Sequence, residues 1–171
     1  SAATMEDVIS LGIGEPDFTT PAPIVEAGIA ALQRGATHYT SNSGLIELRQ
    51  AIAAHVQKLY GLSYDPGQEV LVTVGVSEAL YVAMAALLDP GDEVVLAEPC
   101  FVAYEPTAMM VGAKPVTVAT TPETGFQLTA EMIEAAITPK TKALFLASPN
   151  NPTGAVINRE RLSAIDNGPG G

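Results

Sequence analysis

The run Ala143–Gly154, ALFLASPNNPTG, sets a strand and its ending together. Ala143 to Ala147 is apolar and too short for a typical helix, which suits a buried strand. Ser148–Gly154 then carries two prolines, which remove backbone donors and bias the residues before them away from the helical region. The result is a stiff loop at the carboxyl end of a strand, where open α/β sheets bind their ligands. Asn151 sits between Asn150 and Pro152, so its amide can be held at a fixed angle towards a ligand oxygen. From these residues alone, a proline-rich turn capped by asparagines reads equally well.

Elsewhere the same texture repeats. Val70–Val74 is a β-rich run ending at Gly75, Glu93–Ala97 a second strand ended by Glu98-Pro99, Val116–Ala119 a third and Thr141–Ala147 a fourth. Helices are expected between them. Pro21–Arg34 has Thr20 as N-cap and Gly35 as its stop, with Ile24, Gly28 and Leu32 on one face. Leu45–Tyr60 steps apolar residues by three and four (Leu45, Leu48, Ile52, Val56, Leu59) and ends at Gly61. Ser77–Leu88 is apolar on nearly all sides, as a covered helix would be. Phe101–Val111 reads as a helix bent by Pro106, Thr129–Ile137 as one capped by Thr129, and a last helix begins at Asn158–Ile165. Alternating strands and helices predict βα units and a mostly parallel sheet with helices on both faces.

Bulk properties narrow the function classes. The chain has 171 residues, 47% of them hydrophobic, with 15 Gly and 13 Pro, which describes a globular protein with many tight connections. A net charge of −11 disfavours a nucleic-acid or anionic-membrane surface, though not a local anion site. The single cysteine, Cys100, cannot form an intrachain disulfide, and a cytoplasmic setting is expected. SAATMEDVIS shows no basic segment followed by an apolar one, so no secretory signal is expected. The longest strongly apolar run, Ala79–Leu88, is about half of what a membrane helix needs.

Four pieces can carry chemistry. At Val74-Gly75-Val76-Ser77-Glu78-Ala79 a strand ends in glycine and a helix begins at once. The first amides of such a helix have no intrahelical acceptor and sit at the positive end of its dipole. A phosphate fits there, with the Ser77 hydroxyl as a further donor; an ordinary capped turn fits too. At Glu98-Pro99-Cys100-Phe101, Phe101 could stack on a flat ring or serve as a core residue. No His–Cys arrangement supports Cys100 as a nucleophile, so it reads as a small apolar filler. Tyr39, in a polar loop, could donate to an anion or pack on the following helix. In Leu11–Phe18, LGIGEPDF, glycines would let backbone approach a substrate, or form a flexible arm. No GxGxxG or GxxxxGK[ST] is present, so dinucleotide and P-loop sites lack support.

In order and spacing, LGIGEPDF, HYTSNSGLIELR, VTVGVSEAL, LLDPGDEVVLAEPCFVAY and ITPKTKALFLASPNNPTG resemble the N-terminal part of the class I/II aminotransferases. These are pyridoxal-phosphate enzymes of the aspartate aminotransferase fold type. The resemblance spans residues 8–165. It implies a three-layer α/β fold, a partial large domain of the type I pyridoxal-phosphate transferase fold. It divides the chain into an arm and first helix (1–35), the front of the cofactor-binding domain (36–165) and an unstructured tail (166–171). The cofactor implied is pyridoxal 5'-phosphate. Gly75 would shape the phosphate turn, and the amides of Val76 and Ser77 would bind the phosphate. Phe101 would stack on the pyridine ring and Asn151 would hydrogen-bond its phenolic oxygen. Tyr39 would reach the phosphate of the neighbouring subunit in a homodimer. Ile13 and Gly14, with Asn151, would lie near the substrate α-carboxylate.

The resemblance also sets expectations against this chain acting alone. The family's Schiff-base lysine, pyridine-nitrogen aspartate and carboxylate-binding arginine would all lie beyond residue 171, and Lys58, Lys114, Lys140 and Lys142 match none of that lysine's context. The expected reading is the front part, under half, of an enzyme exchanging an amino group between an amino acid and a 2-oxoacid. A β-lyase or decarboxylase on the same fold, or a non-catalytic cofactor-sensing module, are the alternatives. In the family the strand resembling Val70–Val74 pairs with strands from the later part, so here it should be displaced or completed by another chain. The other three strands should keep their parallel pairing.

Overall fold

The computed structural model describes residues 7–9, 12 and 14–167. It divides into two compact units, Ser1–Leu45 and Ile46–Gly171.

Among the described residues the first unit contains one helix, α1 (Ala22–Gln33). Its N-cap is Pro21, with no side-chain cap, so the expected Thr20 cap is not made. Proline supplies the correct φ of its own accord, and the helix enters through the Pro21 carbonyl, which accepts from Ile24 and Val25. The exit follows the sequence: Gly35 takes φ +78, and Gly35 and Ala36 donate back to Leu32 and Ala31. No α1 residue is buried, so the Ile24–Leu32 face is uncovered.

The second unit runs α2 (Ile46–Tyr60), α3 (Gly75–Leu87), β1 (Glu93–Glu98), α4 (Tyr104–Met110), β2 (Lys114–Ala119), a 3-10 turn at Pro122–Thr124, α5 (Ala130–Ala136), β3 (Thr141–Phe145) and α6 (Arg159–Asn167). The three strands form a parallel sheet, as expected, and their order is β2-β1-β3. Val95 at its centre pairs with Val116 on one side and Leu144 on the other. Because side chains alternate along a strand, β1 feeds two cores. Val94 and Leu96 meet Met84 and Leu88 of the α3 side and Tyr104 and Ala108 of α4. Val95 meets Val118, Leu128 and Ile133, with Ile165 of α6 alongside. The result is three layers, with α3 and α4 on one face and α5 and α6 on the other. Leu96, Val94 and Val95 are the largest fully buried side chains, each contributing roughly 1.5–3 kcal/mol.

Glu93 ties the amino end of the sheet together. Its carboxylate accepts from Lys114 Nζ on β2 at 3.0 Å and from Thr138 Oγ1, ahead of β3, at 2.6 Å. These donors hold it below the usual carboxylate range, the Thr138 hydrogen bond most and Lys114 next.

Other expectations change. Val70–Val74 belongs to no strand among the described residues; a strand needs a ladder partner, and none is there. The chain instead closes a local turn in which the Gly75 amide donates to Thr73 O at 2.9 Å. Pro106 bends nothing: α4 starts at Tyr104, so the proline lies in the first turn and removes no intrahelical bond. The apolar stripe of α2 is largely uncovered, and its buried residues are Arg49 and Ala53. Arg49 Nη1 donates to Gly67 O at 3.2 Å, joining the helix to the loop after it. Only Met84 of α3 is buried, so most of that apolar helix is uncovered among the described residues. Thr129 does cap α5, accepting from the Met132 amide.

Candidate functional site

The carboxyl ends of β1 and β3 lie side by side, because the strands are parallel neighbours. The short turn through Asp89–Asp92 reverses the chain between α3 and β1, so the helix starts at this same end. Leu80, one turn into α3, shares a core cluster with Cys100, just beyond β1. The turn at Gly75–Ser77, Phe101 and the Asn150–Asn151 loop therefore gather at one end of the sheet.

At the start of α3 four amides lack an intrahelical acceptor. Val74 N donates to the Glu78 carboxylate, which reaches back from the first turn, and Gly75 N donates to Thr73 O. The amides of Val76 and Ser77 have no acceptor among the described residues, and the N-cap residue, Val74, makes no side-chain cap bond to them. Gly75 holds φ +78, a left-handed value that glycine adopts freely, and space around it is open. Two adjacent free donors at the positive end of a helix are the kind of group that suits an anion. The exposed Ser77 hydroxyl lies in the same turn.

Phe101 is 37% exposed. Its ring meets Tyr104 edge-on, with centroids 5.7 Å apart at 70°, and Tyr104 in turn leans on Phe145 at 4.5 Å. Phe101 is thus anchored by an aromatic row while remaining accessible to a flat partner. In the loop after β3 the two asparagines divide their work. Asn150 is half-buried and donates to Pro99 O and Thr153 Oγ1. Asn151 is exposed and its side chain makes no hydrogen bond within the described residues, which leaves its amide for a ligand. The role of Asn150 was not legible, because its partner Pro99 is 51 residues away in sequence.

Cys100 behaves as a filler: burial pushes its thiol up, and Glu105 and Glu98 push the same way, which suppresses the thiolate. Among the described residues no group of His, Cys, Asp or Glu could hold a metal, and no helix is long and apolar enough to cross a membrane.

In the first unit Tyr39 is fully exposed, at 106% relative area. Gly14 is exposed with nothing within 4 Å of an added Cβ, and Ile13 lies outside the described residues. The donor set in the second unit suits a phosphate ester carried on a flat, oxygen-bearing ring: two free amides, one accessible aromatic face and one free side-chain amide.

The family described as "Aminotransferase class I and II" matches residues 6–167. A putative aminotransferase of Bacillus subtilis (strain 168) is 51% identical over 164 residues, 96% of this chain and 42% of its own length. An aspartate aminotransferase of Pyrococcus abyssi is 46% identical over the same 96% of this chain and 42% of its own. The solved aromatic aminotransferase of Pyrococcus horikoshii OT3 is 44% identical with a TM-score of 0.90, over 96% of this chain and 44% of that structure. The chain thus spans less than half the length of these relatives. On the match of nearly its whole length, the chain belongs to the class I and II aminotransferase family.

Proposed function

We propose that this chain carries part of the cofactor pocket of a pyridoxal-phosphate-dependent enzyme that exchanges an amino group between an amino acid and a 2-oxoacid. The observation that carries this is the pair of unpartnered amides of Val76 and Ser77, at the same sheet end as Phe101 and Asn151. Pyridoxal phosphate, when bound, supplies the electron sink. This chain's residues bind and orient it. Gly75 shapes the turn, and Val76, Ser77 and the Ser77 hydroxyl hold the phosphate against the positive helix end. Phe101 covers one ring face and limits tilt. Asn151 donates to the phenolic oxygen and fixes the ring's rotation.

Two further assignments belong to this reading, and the first depends on a homodimer. Tyr39, fully exposed here, serves the neighbouring subunit's phosphate. Gly14 and Ile13 are assigned to the α-carboxylate end of the substrate, as is Asn151. A cytoplasmic setting belongs to the same reading and rests on the lone cysteine.

The relatives are named for aspartate and for aromatic amino acids, so both belong in the test. A full-length version is incubated with the cofactor and a panel of amino acids and 2-oxoacids. Amino-group exchange is expected. Elimination or decarboxylation without exchange would point to the alternative chemistries, and cofactor binding without turnover would point to a sensing module.

A further inference from the structure

The loops that follow β1 and β3 are joined by one side chain. Asn150 Nδ2 donates to Pro99 O at 3.0 Å and to Thr153 Oγ1 at 2.9 Å. The first bond crosses between the loops; the second stays within the loop after β3. The main chain of Asn150 is pinned as well: its amide donates to Ala155 O and its carbonyl accepts from Gly154, both at 2.8 Å. Among the described residues no other side-chain hydrogen bond links these two loops. On one side of the bond, Phe101 follows Pro99 by two residues. On the other, Asn151 follows Asn150 directly. A half-buried amide is more expensive to lose than an exposed one, because the Pro99 carbonyl is left without its side-chain donor, while Thr153 Oγ1 still accepts from the Ala155 amide at 3.2 Å.

We propose that Asn150 is a positioning residue, which holds Phe101 and Asn151 at a fixed separation so that both meet the same ring. The proposal rests on the cofactor reading above, and adds to it a residue that touches neither ring nor phosphate. Inorganic phosphate reports the Val76–Ser77 turn alone. Pyridoxal 5'-phosphate reports the turn together with Phe101 and Asn151. The split between the two ligands therefore separates positioning from a general structural role.

The chain and its Asn150→Ala and Thr153→Val variants are titrated with both ligands. Induced circular dichroism of bound pyridoxal 5'-phosphate serves as a second readout, since an achiral ring gains it only in a fixed asymmetric site. Asn150→Ala should bind inorganic phosphate as the parent does. It should bind pyridoxal 5'-phosphate about tenfold more weakly, the scale of one or two lost hydrogen bonds, and lose the induced signal. Thr153→Val keeps the bond to Pro99 and should stay near the parent on both readouts. Should Asn150→Ala not fold, Asn150→Asp, of equal size but without the N–H donors, is read in the same way. Retained affinity and signal in the folded variant overturn the proposal, as does an equal loss for both ligands. If the parent itself binds pyridoxal 5'-phosphate no better than phosphate, the underlying cofactor reading fails, a result seen before any variant is made.

Discussion

Replacing Val76 with proline removes one donor from the turn that opens α3 and little else. Val76 is the second residue of α3 and is 72% exposed. Its amide has no acceptor among the described residues, so proline in this first turn breaks no intrahelical bond. Glycine at position 75 is the residue least restricted by a following proline. Folding stability should therefore move by no more than about 1 kcal/mol. The ligand effect is larger. A hydrogen bond to a charged group contributes about 1.5–3 kcal/mol, and each 1.4 kcal/mol is about tenfold in affinity. Val76→Pro should thus weaken phosphate and pyridoxal 5'-phosphate binding about 10- to 150-fold. Val76→Ala keeps the amide and is the control. Calorimetric titration at low ionic strength measures the affinity, since salt screens an exposed anion site, and urea unfolding checks the fold. Equal affinity in the proline and alanine variants, both folded, would refute the amide-receptor reasoning and leave an ordinary helix start.

Leu96→Ala should cost about 2–5 kcal/mol in urea or thermal unfolding, because Leu96 is 0% exposed at the centre of the sheet and its removal leaves a cavity against Met84, Leu88 and Tyr104. Glu93→Gln should flatten the acid limb of a stability–pH curve. The folded carboxyl titrates below its unfolded value, so its contribution is complete above the ordinary glutamate range and is lost as pH falls through the folded pKa; melting temperatures across about pH 3 to 6 would show it. The isolated chain should show no transamination on an amino-acid and 2-oxoacid panel, since covalent chemistry of this kind needs a lysine nucleophile and none of Lys58, Lys114, Lys140 and Lys142 matches its context. Turnover abolished by replacing one of those lysines would reverse that expectation.

Local pattern carried the elements whose causes are local. Gly35 and Gly61 end their helices in the left-handed region, at φ +78 and +71, which a side chain would resist. Thr129 caps α5 through a bond three residues on. The apolar runs of β1 and β3 became neighbours because parallel strands linked by helices have few other arrangements. The glycine between Val74 and Val76 was enough to mark where free amides would stand. Other features depend on what the chain meets in space. The apolar stripe of α2 was read from its spacing, yet the residues it buries are Arg49 and Ala53, because spacing sets a face and only a partner covers it. Val70–Val74 has strand composition but no strand, since β structure requires a second chain segment for its hydrogen bonds. Sequence order could place Asn150 and Asn151 together in a loop. Only the fold, by bringing Pro99 within 3.0 Å of one of them, decided which asparagine ties the loops and which is left exposed without a side-chain hydrogen bond among the described residues.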